Sequence, residues 1–329
     1  MDINRTSGKR VSASQRNFVS AQSNRAIIHK PLKSLAAVAF GLLLSVSGLT
    51  QAQVSTADVK RALQYRFIPI DVPGATRTSA NGNSTHEIAG DFDDKDGITH
   101  GFVVNNHHGV FTTFTTIDVL GAKSTSLNGI NASGQLVGTY TDVAGTDHAF
   151  FKNRGCPAIP LDPAGTVRSQ GGFINAQGQV VGEYRTDKAR GFIWRNGIFT
   201  TLNLNFPNDL PTVPFGINDR GAVVGTYLTA GNINHGFLRS SNGDFKTIDV
   251  PDADVTVAEG INDAGTIVGV YIVNGLFHGF VSNNGVVFTT VDVPGSSETQ
   301  VFSINAKGEI VGLYVDSQGP HGFLGVPVR

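Results

Sequence analysis

Five histidines recur at one place in a repeated pattern, and histidines in register are the first candidates for chemistry in this chain. Each opens a His-Gly-Phe or His-Ala-Phe triplet, and one copy of the pattern has Arg190 in that place. The five are His100, His148, His235, His278 and His321. Because imidazole is both a common metal ligand and a proton carrier near neutral pH, a ring of histidines suggests a metal site or acid–base catalysis.

The position of the triplet argues against a shared metal ion. The triplet opens the third strand of each predicted unit, two inter-strand spacings of about 4.8 Å from the innermost strand. Ligands must lie about 2.1 Å from a zinc ion, so symmetry-related histidines at that radius cannot converge on one. We therefore expect each histidine to hydrogen-bond backbone or a neighbouring unit and to fix the start of its strand.

Residues that differ between the copies are better candidates for a specific site. The first copy carries Asp91, Asp93, Asp94 and Asp96 in the segment GDFDDKDG, which has the composition of a calcium loop. The strict calcium-loop pattern fails, because Lys95 occupies the place of its third acid. The two interpretations are a Ca²⁺ site formed by these four carboxylates and a solvated acidic loop. No other cofactor is predicted.

The third copy has its own charged loop, with Glu183, Arg185 and Arg190 as candidate ligand-binding residues. The alternative is an exposed, salt-bridged loop. The chain contains no G-x-S-x-G, H-E-x-x-H, P-loop or dinucleotide-binding motif. Paired carboxylates for glycoside chemistry would come from different units and would leave no local motif, so the catalytic residues of an enzyme stay unknown.

The positions of these candidates follow from an internal repeat. The glycine of an "IVGxY" segment recurs in steps of 48, 44, 43, 44 and 43 residues. It falls at Gly90, Gly138, Gly182, Gly225, Gly269 and Gly312. An asparagine in "GIN" keeps the same period, with Asn83 expected to fill its place in the first copy. Six copies of this length are typical of propeller arrays, in which small sheets must stack to bury both faces.

Turn residues divide each copy into four antiparallel strands. The last copy stops after its third strand, at residues 321–327, while a strand of the missing type stands alone at residues 67–72. Pairing these two segments would close a ring and remove an exposed sheet edge. We therefore predict an all-β, six-bladed β-propeller over residues 66–329. The rival is an open stack of meanders. The predicted blades are residues 75–120, 121–163, 164–206, 207–250, 251–294, and 295–329 completed by 67–72.

The first 52 residues have a different composition. Residues 1–34 carry seven Lys or Arg against one acid, and a 15-residue, largely apolar run follows from Leu35 to Leu49. Thr50 and Ala52 then offer small residues for cleavage. This pattern predicts a signal peptide at residues 1–52, a lead-in segment at 53–65 and a secreted or periplasmic protein. An uncleaved membrane anchor is the alternative, although the apolar run is shorter than the roughly 20 residues that span a bilayer.

Charge excludes some partners. Without residues 1–52 the chain has 18 basic and 25 acidic residues, so it has no electrostatic reason to bind nucleic acid or an anionic membrane. The single cysteine, Cys156, cannot form an internal disulfide. We expect a monomer that relies on its hydrophobic core and has no membrane span after cleavage.

The triplet at His148–Phe150 and its His-Gly-Phe variants, together with the "GINxxGxIVGxY" block before them, resemble the bacterial HAF-repeat family of probable extracellular proteins. The likeness covers about residues 66–329, and Arg190 departs from it. The resemblance implies export and tandem repeats. It supplies no catalytic residues.

Three functions are compatible with these features. The first is an exported propeller that binds an extracellular glycan, peptide or surface protein. The second is a glycan lyase or hydrolase with catalytic groups on non-equivalent loops, and the third is a purely structural envelope protein. Export, six similar copies and the absence of a catalytic motif favour the first.

Overall fold

The computed structural model describes residues 64–202, 211–229 and 233–328, and this part of the chain forms six four-stranded antiparallel sheets. The predicted signal peptide and residues 53–63 of the predicted lead-in lie outside the described residues. The six sheets are arranged in a ring, and the fold is the predicted six-bladed β-propeller.

Each blade is a four-stranded meander. Blades 1 and 2 consist of β2 (Arg77–Asn83), β3 (Glu87–Asp93), β4 (Thr99–Asn105), β5 (Phe114–Ile117), β6 (Ser124–Ile130), β7 (Leu136–Thr141), β8 (Asp147–Lys152) and β9 (Ile159–Pro160). Blades 3 and 4 consist of β10 (Arg168–Ile174), β11 (Val180–Arg185), β12 (Ala189–Arg195), β13 (Ile198–Leu202), β14 (Thr212–Ile217), β15 (Val223–Leu228), β16 (Asn234–Arg239) and β17 (Phe245–Ile248). Blades 5 and 6 consist of β18 (Val255–Ile261), β19 (Thr266–Val273), β20 (Leu276–Asn283), β21 (Val287–Val291), β22 (Glu298–Ile304), β23 (Ile310–Asp316), β24 (Gly319–Val328) and β1 (Gln64–Ile70).

The ring closes through the amino-terminal strand. The first strand of each blade is innermost and contacts the first strands of both neighbours, including β22 against β2. Strand β1 pairs antiparallel with β24, from Gln64 opposite Val328 to Ile70 opposite Gly322. It begins and ends slightly earlier than the predicted 67–72, because Asp71 and Val72 enter the turn that leads to blade 1. The blade therefore gains its fourth strand as predicted, and β1 covers the edge of β24.

The recurring in-strand glycines make room for a phenylalanine ring of the same blade. Gly269 on β19 lies opposite Phe280 on β20, and a β carbon at Gly269 would lie 2.8 Å from Cε1 of that ring. The same pairing occurs in every blade, and each of these phenylalanines is fully buried. They are Phe102, Phe150, Phe192, Phe237, Phe280 and Phe323. Each of these glycines therefore marks the close approach of a ring in the core.

The repeated asparagines join neighbouring blades. Asn131 Oδ1 accepts the backbone N–H groups of Ser133 and Gln135 in its own turn, while its Nδ2 donates to the carbonyl of Asn175 in the next blade, at 3.0 Å. Equivalent bonds follow from blade 3 to blade 6, and Asn305 then donates to the carbonyl of Ser84. Ser84, and not Asn83, therefore takes the asparagine's place in blade 1. Each side chain satisfies a turn and a neighbouring blade at once.

The two ends of the propeller differ in which turns they carry. We name the linker face the end with the connections between blades and the loops joining second to third strands. The hairpin face carries the other two sets of turns. A linker such as Val72–Ala75 is a tight turn in which Ala75 N–H donates to the Val72 carbonyl, and Gly74 has φ of 80°. Pro followed by Gly suits such a turn, since proline fixes the first central residue and glycine tolerates the second.

Candidate functional site

In five of the six blades the repeated histidine forms a unit on the linker face, which we name the His–Asp unit. Nδ1 of each histidine lies 2.8–2.9 Å from the carboxylate of an aspartate at the end of the fourth strand. The pairs are His100–Asp118, His148–Asp162, His235–Asp249, His278–Asp292 and His321–Asp71. The expected structural role is supported, but the predicted partner was wrong, because the bond goes to a carboxylate of the same blade rather than to backbone or a neighbour.

An aromatic ring completes each His–Asp unit. His278 stacks on Tyr271 with ring centroids 5.2 Å apart, and four other blades repeat the arrangement, with Phe92 replacing tyrosine in blade 1. The histidine side chains remain between 21% and 27% exposed. Asp94 lies 3.5 Å from Nε2 of His100, so two carboxylates flank that ring. Burial alone lowers the pKa of His100, but the hydrogen bonds and charges of Asp118 and Asp94 outweigh it and raise the pKa above its usual value.

Blade 3 replaces this unit with an arginine. Arg190 Nη2 donates to Asp187 Oδ1 at 3.0 Å within the loop, and the bonds from Thr186 and Arg190 lower the pKa of Asp187. Asn203, which stands at the position of the aspartate, lies outside the described residues. Arg190 therefore takes part in an ion pair, as the alternative interpretation of this loop expected.

The four aspartates proposed for calcium do not gather around one point. Asp91 and Asp93 are buried on β3, whereas Asp94 and Asp96 lie in the turn after it. Asp94 Oδ1 accepts the N–H groups of Asp96 and Ile98, which is a turn-forming arrangement. Nowhere in residues 64–202, 211–229 and 233–328 do three His, Cys, Asp or Glu side chains form a group able to hold a metal ion. Calcium binding by this loop stays a prediction without supporting geometry.

Asp91 instead organises a buried polar network between blades 1 and 2. Its carboxylate accepts hydrogen bonds from Arg77 Nη1 at 2.6 Å, Asn81 Nδ2 at 2.7 Å and Ser126 Oγ at 2.6 Å. Ser126 belongs to blade 2, so the network crosses a blade boundary. A buried carboxylate with three donors, one of them cationic, is satisfied. Asp91 therefore acts as an inter-blade connector.

Glu183 occupies the matching position in blade 3. Its side chain is 5% exposed and lies 3.4 Å from Arg168 Nη2, while Arg168 and Arg185 are cross-strand neighbours. Burial raises the pKa of Glu183, and the charges of Arg168 and Arg185 oppose that rise. The structure thus brings Glu183 and Arg185 together on β11, while Arg190 lies one strand further out, on β12. Sequence reasoning did not identify Arg168 because it considered only the loop.

Charge is divided unevenly between the two ends of the molecule. In the described ranges, the half next to the linker face carries seventeen Asp or Glu and seven Lys or Arg. The half next to the hairpin face carries six acidic and eight basic residues. Much of the difference comes from the His–Asp units and from the loops between second and third strands. The linker face is therefore a negatively charged surface and the hairpin face is weakly positive.

The fold defines the class of protein, a six-bladed β-propeller, and comparisons add similarity of fold only. No protein-family model and no curated protein matches the chain. A putative TolB from Agrobacterium tumefaciens aligns with a TM-score of 0.52 at 9% identity, over 82% of this chain and 99% of that one. TolB from Acinetobacter baumannii aligns with a TM-score of 0.48 at 10% identity, over 74% of this chain and 64% of that one. A fucose-specific lectin from Aleuria aurantia aligns with a TM-score of 0.44 at 12% identity, over 65% of this chain and 77% of that one.

Proposed function

We propose that the protein is an exported binding module whose linker face binds a positively charged group of an extracellular peptide, surface protein or glycan. The observation that carries this proposal is the excess of seventeen acidic over seven basic residues in that half of the molecule. A charge imbalance of this size attracts oppositely charged partners and raises the rate at which they associate. The hairpin half has no comparable excess of either sign.

Export is the second part of the proposal. It is supported by the basic segment, the apolar run and the small residues before position 53. Among the residues that the structure describes, no helix has the length and hydrophobicity to cross a membrane. Release of a protein that begins near residue 53 into the periplasm or medium would support export. A protein that stays in the cytoplasm with its leader intact would refute it.

A matched pair of variants tests the binding face. Asp96→Asn with Asp187→Asn removes two exposed charges from linker-face loops. Asp219→Asn with Asp244→Asn removes two from the hairpin face, so both variants have the same net charge. Binding to a lysine-rich peptide and to an array of charged and neutral glycans is then measured at low and high salt. We expect the first variant alone to bind roughly twofold to thirtyfold more weakly, because exposed ion pairs contribute about 0.2–1 kcal/mol each. Equal loss in both variants would contradict the proposal.

One observation favours a second candidate, a glycan-active enzyme. Glu183 is a carboxyl whose pKa is raised by burial, and such groups can act as general acids. It contacts Arg168, however, so it is also a structural ion pair. Glycan turnover that is abolished in Glu183→Gln, while the thermal unfolding temperature is kept, would establish the enzyme. Turnover unaffected by that substitution would remove Glu183 from consideration.

A further inference from the structure

A cavity of about 260 Å³ lies on the linker face where blade 4 connects to blade 5. Its walls come from the start of β16, from the linker and from the start of β18. Ile233, Pro251 and Val255 supply apolar surface, and Asp249, Asp252 and Asp254 supply carboxylates. The cavity therefore combines an aliphatic wall with a negatively charged rim.

The charge in this cavity is not balanced by its lining. No Lys or Arg lines it, and His235 is the one other ionisable group. His235 bonds Asp249 at 2.8 Å, and Asp254 Oδ2 accepts the Asn274 N–H at 3.1 Å, which fixes two of the three carboxylates. Asp252 is exposed and forms no hydrogen bond or ion pair with the residues that the structure describes. The rim therefore presents negative charge outward.

This linker departs from the other linkers at two positions, both of which become acidic. Asp252 stands where the linker into blade 6 has Gly295, and it keeps the left-handed backbone, with φ of 62°. Asp254 stands where that linker has Ser297 and where the linker into blade 2 has Lys123. A residue other than glycine in this conformation has a cost in free energy, although aspartate is among the more tolerant types. The two acids are thus not explained by the turn itself.

We propose that this cavity holds a lysine side chain of a polypeptide partner, a proposal that rests on the function assigned to the linker face. The aliphatic wall suits the methylene stem of lysine, and the rim suits its ammonium group. A metal ion fits less well, because no metal-binding group of three ligands occurs among the described residues. An amino sugar fits less well, because the one aromatic ring in the lining, His235, already stacks on Tyr227.

The test uses the full-length protein and blocked pentapeptides with lysine or uncharged norleucine at the centre. Backbone amide shifts of residues 249, 250 and 252–256 are followed by nuclear magnetic resonance during titration. The lysine peptide should shift them, and the norleucine peptide should bind roughly tenfold more weakly. Asp252→Gly with Asp254→Ser places at these two positions the residues of the linker into blade 6, so the variant should fold normally and weaken lysine binding by about fivefold to tenfold. Asp254→Asn provides a conservative second variant.

Several outcomes would overturn the inference. Equal binding of the two peptides would remove the role of charge, and unchanged lysine binding in both variants would place the site elsewhere. Calcium chloride or glucosamine that shifts the same amides and displaces the peptide would identify a metal or sugar site instead. The variant with Asp252→Gly and Asp254→Ser can also be tested with the lysine-rich peptide. If it still binds that peptide through Asp96 and Asp187, this inference fails while the function proposed for the linker face stands.

Discussion

Closure of the ring by β1 is a physical claim that one buried side chain can test. Ile70 at the end of β1 is fully buried and packs with Ala80 and Phe102 of blade 1 and Leu324 of blade 6. Ile70→Ala removes three carbon atoms, worth about 0.8 kcal/mol each in transfer free energy. An unfilled cavity of about 50 Å³ adds about 1 kcal/mol. The expected loss in the free energy of unfolding is therefore about 3–4 kcal/mol.

The protein contains its own control for this substitution. Ile248 occupies the same place in blade 4, is equally buried, and belongs to a strand whose connection to its blade is continuous in the chain. Ile248→Ala should cost the same 3–4 kcal/mol, and Val328→Ala, at a half-exposed position, should cost less than about 0.5 kcal/mol. Reversible urea unfolding measures all three. A loss below about 1 kcal/mol for Ile70→Ala, together with the full loss for Ile248→Ala, would show that β1 is not an integral strand.

Three further substitutions test the packing, the linkers and the His–Asp units. Gly269→Ala should cost at least about 1–3 kcal/mol in urea unfolding, because its β carbon would overlap the Phe280 ring and the backbone; a change below 0.5 kcal/mol would contradict this packing. Leu120 is a fully exposed linker residue at a position where other linkers have proline. Leu120→Pro should therefore raise the free energy of unfolding by about 0.4–1 kcal/mol. A lower melting temperature would mean that this turn has a different conformation. Folding raises the pKa of His100. The ion pairs of this histidine therefore contribute their full stability at a pH below its unfolded pKa, and this contribution is lost as the pH rises through the folded pKa. His100→Gln should therefore destabilise the protein more at pH 5 than at pH 9, and an equal effect at both would refute the assignment.

The functional argument depends on symmetry and its exceptions. A group repeated in five of the six blades, such as the His–Asp unit, stabilises the scaffold, since it ties the start of the third strand to the end of the fourth. The exceptions are Asp91, Glu183 and the acidic linker at Asp252 and Asp254. Asp91 is satisfied by Arg77 and by Ser126 of the next blade, and Glu183 is paired with Arg168 of its own blade, so both have a structural role in the observed geometry. Asp254 also accepts the Asn274 N–H, but Asp252 has no hydrogen bond or ion pair with the described residues, and this is why the lysine-binding inference centres on that linker.

The number of blades, the order of the strands and the closure of the ring were determined by the sequence alone. Each repeat contains its own turn residues and apolar strands, so local propensity and period give the unit, and counting gives the ring. The missing fourth strand of the last copy and the isolated strand before the first were enough to predict their pairing.

Only the tertiary structure decided which side chains meet. In three blades the aspartate follows its histidine by 14 residues, a signal that could have revealed the pairing, but the contact itself depends on how two antiparallel strands end at one face. Asp91 and Asp93 looked like loop residues and are buried in a strand, because the turn begins one residue later. The charge difference between the faces also needed the fold, since it arises only when residues distant in the chain are brought to the same end of the ring by alternating strand directions.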